Sequence, residues 1–216
     1  MHTITKETRI GPVTIRPANV DDTPILANLL VQLYAAELPG ALVGPLTRQC
    51  DLFRFTLETQ SEKSLQNRYV LCDVNGCVLA TGMIQLPAEP AFERAPAGTI
   101  GMAVKLLGYR ATGRLLLTVA RSRIGVYTQQ QTDAALLHSI VVDEQQRGQG
   151  LGRIMLETLE QIIVEHGYPW AVLQVLGSNE AARRLYSQQG YQDIWHTPRW
   201  VATLSWPSCV MRKALA

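Results

Sequence analysis

The feature that most constrains the fold of this chain is a strand that runs straight into a glycine-rich helix start. Residues 136–142 read as a strand, Asp143-Glu144-Gln145-Gln146 turns the chain, and Arg147-Gly148-Gln149-Gly150-Leu151-Gly152 opens a strongly periodic helix over 151–166. The first turn of a helix has unpaired amides and the positive end of the dipole, so it attracts anions. Glycines let the backbone approach an anion closely, and Arg147 adds a charge that phosphate cannot remove by proton exchange. A lone glycine would read as a tight turn; three at alternate positions, with an arginine after a strand, read as a phosphate cradle. The dinucleotide fingerprint fails, because its last glycine would fall on Arg153 or Ile154, and no P-loop lysine follows.

Around this unit, periodicity and punctuation give the order of elements. Residues 13–16 form a short strand. Asp21-Asp22-Thr23-Pro24 then supplies an acidic or hydroxyl cap and an early proline. Ile25, Leu26, Leu29, Leu30 and Leu33 make a helical stripe that Pro39-Gly40 ends, and a second helix is expected over 47–59. Between residues 69 and 86, two β-rich runs flank Asn75-Gly76, the strongest short-range hairpin signal. A two-residue turn there pairs Val74 with Cys77 and Cys72 with Leu79, which sets the two sulfurs apart. After the cradle helix come a strand at 170–175, a helix at 179–188 closed by Gly190, and two last strands, near Tyr191 and at 209–212. Strand-helix-strand-helix-strand in the later half implies an α/β chain, its partly parallel sheet covered by helices.

At 216 residues and 47% hydrophobic, the chain can bury one substantial core, and with no linker, repeat or low-complexity tract a single domain over 1–216 is expected. Twenty basic against 18 acidic residues leave +2, too balanced to make nucleic acid an obligatory partner. No run approaches the roughly 20 apolar residues of a membrane span, and the first six residues have no apolar core behind their charge. A cytoplasmic protein is expected. Cys50, Cys72, Cys77 and Cys209 show neither CxxC spacing nor histidine clustering, so no metal is expected, and all four are read as reduced packing residues.

The cradle resembles that of the GNAT superfamily of N-acetyltransferases, whose pattern is Arg or Gln, two residues, Gly, one residue, then Gly or Ala; here these are Arg147, Gly150 and Gly152. A second match follows at the family's spacing, in Asn179-Glu180-Ala181-Ala182, Leu185-Tyr186 and Gly190-Tyr191, and Val210-Met211-Arg212-Lys213 is a typical ending. The resemblance covers 136–213 well, the N-terminal part loosely and 87–130 not at all. It implies a mixed, twisted sheet flanked by helices, with acetyl-CoA (coenzyme A) as co-substrate and an amine as acceptor. In the family the pantetheine arm slots as a pseudo-strand into a gap beside the strand before the loop. Ile140, Val141 and Val142 match those positions, and the Val142 amide matches the polariser of the thioester carbonyl. Arg147, Gly148, Gln149, Gly150, Leu151 and Gly152 match the phosphate cradle. Asn179 matches an asparagine that contacts the coenzyme, though Ser178-Asn179 also reads as an ordinary helix cap. Tyr186 matches the tyrosine that protonates the leaving thiolate, core packing being the alternative.

The acceptor amine must lose a proton before it attacks, which at pH 7 costs about 4.6 kcal/mol for a lysine-like amine and about 1 kcal/mol for an α-amine. Family bases often sit on the strand before the cradle, frequently as a glutamate, but Leu136-Leu137-His138-Ser139 offers no carboxylate. His138 titrates in the right range and is the base candidate on that strand, with a hydrogen-bonded packing role as the alternative. Glu37, Glu93 and His196 are further candidates.

Segment 87–130 opens with Pro87, Pro90 and Pro96. Gly101, Gly108 and Gly113 weaken a single long helix, so two shorter ones are expected, holding Lys105, Arg110, Arg114, Arg121 and Arg123 against no acid. Its six basic and two acidic residues give +4, which would repel a polycationic acceptor. A helical lid over the acceptor site is expected. The alternatives are an add-on packed against the sheet or against a second subunit in a homodimer, or a basic apolar helix on a membrane surface. A non-catalytic coenzyme-binding sensor and an interaction module are the competing functions.

Overall fold

Strand patterning builds one eight-stranded sheet in the computed structural model, which describes residues 3–8, 11–87, 95–122 and 132–215. The strands are β1 Ile4–Thr8, β2 Gly11–Pro17, β3 Arg68–Cys72, β4 Val78–Gln85, β5 Ala134–Val142, β6 Trp170–Leu176, β7 Gln192–His196 and β8 Ser208–Ala214. The helices are α1 Thr23–Glu37, α2 Leu46–Thr59, α3 Ser61–Leu65, α4 Thr99–Leu107, α5 Tyr109–Ser122, α6 Leu151–Glu165, α7 Glu180–Gln188 and α8 Arg199–Ala202. Among the described residues the strand order is β1-β2-β3-β4-β5-β6-β8-β7, antiparallel throughout except for β5–β6, whose parallel pairing requires the crossover that α6 supplies. The α/β class and the mixed, partly parallel sheet follow as the sequence implies.

Three local details differ from expectation. The edge strand β1 is not announced by Ile4-Thr5-Lys6-Glu7-Thr8; pairing with β2, Ile4 opposite Ile15, holds it. The start of α1 is capped further upstream, where Asn19 accepts from the Asp22 amide at 3.2 Å while the Asp22 carboxylate accepts from the Asn19 amide and from both terminal nitrogens of Arg16. The β3–β4 hairpin forms with a different turn. The Asp73 carboxylate accepts from the amides of Asn75 (2.9 Å) and Cys77 (2.8 Å), and only Gly76 among these residues adopts positive φ, at 81°. That makes a three-residue turn with a glycine bulge, because a two-residue type I′ turn would also need Asn75 at positive φ. Cys72 therefore pairs with Val78, not Leu79. All four cysteines are free, but Cys77 is exposed and serves the turn, not the core.

The sheet separates two cores. On one face Leu151, Met155, Leu156, Leu159 and Ile163 of α6, none more than 1% exposed, pack on Leu71, Ala80, Ile84, Ala135 and Leu137, joined by Tyr186 of α7. Each such side chain stabilises the fold by about 1.5–3 kcal/mol. Gly82 permits this close seating, since a Cβ there would stand 2.7 Å from a Leu159 methyl. On the other face Leu26, Leu29, Leu30 and Leu33 of α1 cover Val70, Cys72, Val78 and Val141. The expected pair of short helices in the 87–130 segment is α4 and α5, which part at Gly108 (φ 85°); α4 packs against α2. Among the described residues, no helix is long and apolar enough to cross a membrane.

Candidate active site

β5 and β6 pair only from Ala134–Trp170 to Leu137–Leu173. Beyond that point β5 stays with β4, while β6 stays with β8 as far as Leu176–Ser208, so residues 138–142 present an edge that β6 does not take up. The parting coincides with a bulge: Met83 faces His138 and Thr81 faces Val141, so both Ser139 and Ile140 stand opposite Gly82. Ser139 sits at φ 54°, a conformation that costs a non-glycine residue on the order of 1 kcal/mol, and such a bulge bends and twists its strand.

The bulge sets the direction of a key amide. Asp143 N donates to Leu79 O at 2.9 Å, which makes Leu79–Asp143 a hydrogen-bonded pair of the ladder and Ala80–Val142 the alternate, non-bonded kind. The N–H and C=O of Val142 consequently point away from β4, toward the open edge. The carbonyl accepts from Arg147 Nε at 3.2 Å, so Arg147 folds back over the end of β5.

The cradle is clamped from α1. Gln32, which the sequence does not single out, donates from Nε2 to Asp143 Oδ2 (3.0 Å) and accepts from the Glu144 amide (2.9 Å), while Asp143 Oδ1 accepts from the Gln145 amide. Gly148 and Gly150 adopt φ 81° and 83°, and Gly150 is the N-cap of α6 with no side chain to occupy the first amides of the helix. Gly152 lies against Leu185 and Val142, where an added Cβ would stand 3.4 and 3.6 Å from their methyls. Gly148, Gln149, Gly150, Arg153 and Ile154 line an open cavity of about 600 Å³ whose other wall is Glu7 and Thr8 of β1. Free amides at a helix start, beside a strand edge with an outward N–H, fit a phosphorylated carrier with an amide-bearing arm.

Tyr186 is buried on the α6–α7 side of the sheet and Glu37 ends α1 on the other side, yet Tyr186 feels the Glu37 carboxylate. Burial pushes the Glu37 carboxyl up from the ordinary range to about 7. Burial first, and the Glu37 charge second, raise the Tyr186 phenol, which keeps its proton at neutral pH.

The other candidates fall differently. His138 is half-buried, and its desolvation together with the nearby Arg68 charge holds its ring down to about 4; Nδ1 lies 3.1 Å from Ser139 Oγ, and the shielded Nε2 has no partner among the described residues. Asn179 does cap α7, accepting from the Ala182 amide at 3.2 Å. His196 is exposed and lies 3.4 Å from Asp193, which also meets Arg183 at 3.7 Å. Asp193, His196 and Cys209 place metal-type donor atoms within 4.8 Å of one another, with Arg183 as the cation beside them. Glu93 lies outside the described residues. Arg68, absent from the sequence candidates, carries a readable signal: a charge in phase with the buried Val70 and Cys72.

A sheet that parts at its parallel pair beside a glycine-rich helix start is the arrangement that the resemblance to N-acetyltransferases implies. A model of the acetyltransferase (GNAT) family matches residues 44–191, and the chain belongs to that family of enzymes. No curated protein matches it in sequence. Among solved structures it is similar to the ribosomal-protein-S18-alanine N-acetyltransferase from Escherichia coli, at 18% identity and a TM-score of 0.52 over 94% of each chain. It is also similar to YncA from Salmonella typhimurium, solved with its cofactor acetyl-CoA (15% identity, TM-score 0.56, 94% of each chain). An N-acetyltransferase from Staphylococcus aureus Mu50 shares 16% identity with a TM-score of 0.60 over 92% of this chain and 99% of that one. At these identities the likeness is one of fold.

Proposed function

We propose that the chain, acting as one cytoplasmic domain, transfers an acetyl group from acetyl-CoA directly to a primary amine of a small molecule or peptide. The observation that carries this reading is the parting of β5 from β6 after the Leu137–Leu173 pair, which leaves the outward Val142 amide on an open edge next to the glycine-capped start of α6. Acetyl-CoA supplies an activated thioester. The open edge of Ile140, Val141 and Val142 would align its arm, and Arg147, Gly148, Gln149, Gly150, Leu151 and Gly152, with Asn179, would hold its phosphates and adjoining groups. Val142 N–H is placed to stabilise charge on the reacting carbonyl oxygen. Glu37, held near 7, takes the proton of the incoming amine, because a base works best with a pKa near the operating pH. Tyr186 returns a proton to the departing thiolate. His138 is too weak a base for this task at about 4.

Thiol release from acetyl-CoA in the presence of an amine panel tests the reading, with mass spectrometry reporting the acetylated product. Tyr186→Phe is expected to cut turnover by roughly 10²-fold or more and to spare coenzyme binding. Turnover equal to the wild type would remove Tyr186 from the mechanism, and no thiol release with any amine would favour a coenzyme-binding sensor.

A further inference from the structure

Arg68 starts β3 in phase with Val70 and Cys72, so its side chain lies on the α1 face of the sheet, and it is only 5% exposed. Its Nε donates to Ser64 O at 3.0 Å and one terminal nitrogen reaches Met83 Sδ at 3.4 Å, but the other terminal nitrogen has no partner among the described residues. No carboxylate pairs with it among the described residues. Across Met83 lies His138, half-buried as a residue but with a shielded nitrogen, Nε2, that has no partner among the described residues. A buried guanidinium without a counter-ion is costly, and each such unsatisfied group in a native structure calls for an explanation.

The position of this pair gives it a use. Arg68, Met83 and His138 form one row across β3, β4 and β5, ending at the first β5 residue past the last β5–β6 pair, on the face that Glu37 also occupies. If Ser139 donates its hydroxyl proton to Nδ1, His138 Nε2–H becomes a neutral donor beside the Arg68 cation. A guanidinium and an imidazole N–H together match a carboxylate or phosphate oxygen pair. We propose that Arg68 and His138 receive an anionic group of the acceptor, so that the substrate is an amine that also carries a carboxylate or phosphate. This inference rests on the acetyl-transfer reading above. It also goes beyond the net charge of the 87–130 segment, since it names two residues and the group they bind.

Matched acceptors decide it: an α-amino acid against its amide, and an aminoalkyl phosphate against the parent amino alcohol. In the wild type the anionic member should be favoured in kcat/KM by about tenfold or more. Arg68→Met should abolish that ratio while leaving coenzyme affinity unchanged, and should keep or raise the melting temperature of the ligand-free protein. A purely structural arginine would instead lower the melting temperature and leave the ratio intact. Equal rates for each pair in the wild type, or a preference that survives in Arg68→Met, would overturn the proposal. Should Arg68→Met fail to fold, the wild-type ratios alone decide. If no amine is acetylated, the acetyl-transfer reading fails on its own. Thermal stabilisation by inorganic phosphate, measured with the cradle already saturated by coenzyme A, in the wild type but not in Arg68→Met then supports the anion site, and equal response overturns it.

Discussion

Replacing Glu37 by glutamine should make the protein more stable and far less active. The Glu37 carboxyl is raised by burial from 4.5 to about 7, so between those pH values the folded state binds a proton that the unfolded state has released. Stability accordingly falls as pH rises through this window, and above about 7 the whole cost of holding the buried charge is present. At about 1.36 kcal/mol per pH unit, the gap amounts to about 3 kcal/mol. Glu37→Gln keeps the shape and removes the charge, so urea unfolding at pH 8 should show a gain approaching that size, while at pH 4 the two proteins should agree. The same substitution should lower kcat/KM by roughly 10²- to 10⁴-fold for a primary amine, the range general-base catalysis contributes. The wild-type rate should rise with pH to a plateau above about 7, an inflection the variant lacks. A variant that is destabilised at pH 8, or one with wild-type turnover and pH profile, would refute the assignment of Glu37 as a buried base.

Two further outcomes follow from the packing and electrostatics around that site. His138, held near 4, stays neutral throughout the assay range, so His138→Gln should leave the inflection near pH 7 in place; its disappearance in kcat/KM against pH would return the base to His138. Gly82→Ala places a methyl 2.7 Å from Leu159 Cδ1 and 3.4 Å from both Ile140 and Met155, so urea unfolding should report a loss of about 1–3 kcal/mol. An unchanged midpoint there would mean that α6 is seated less tightly on β4 than its contacts indicate.

The parts of this site that the sequence makes legible are those with a local cause. Gly148 and Gly150 are readable because a strand-to-helix turn of this shape requires positive φ, and both have it. The α6 stripe is readable because its period is its own. Glu37 is different: the sequence offers it as a base candidate only alongside Glu93 and His196, and it is the folded chain that withdraws its carboxyl from water far enough to raise it. His138 is the converse, a residue whose position on the strand is legible but whose basicity is set by burial and by Arg68. In the β3–β4 hairpin, the Asn75-Gly76 signal marks the turn correctly, and the Asp73 carboxylate then decides its type and the register of Cys72.

The bulge at Ser139 shows why a site can depend on a residue that no pattern marks. On a regular strand His138 and Val141, three apart, would face opposite sides of the sheet, because side chains alternate with period two. The extra residue opposite Gly82 restores them to one face, where His138 opposes Met83 and Val141 joins the α1 core. It also fixes which amide meets the open edge. Ala80 occupies a non-bonded position of the ladder, so whichever β5 residue opposes it turns its N–H outward. With the bulge that residue is Val142, next to the cradle; a regular ladder would put Val141 there and move the donor one residue away from the helix start. One serine in a left-handed conformation thus sets both the acceptor face and the amide beside the anion site.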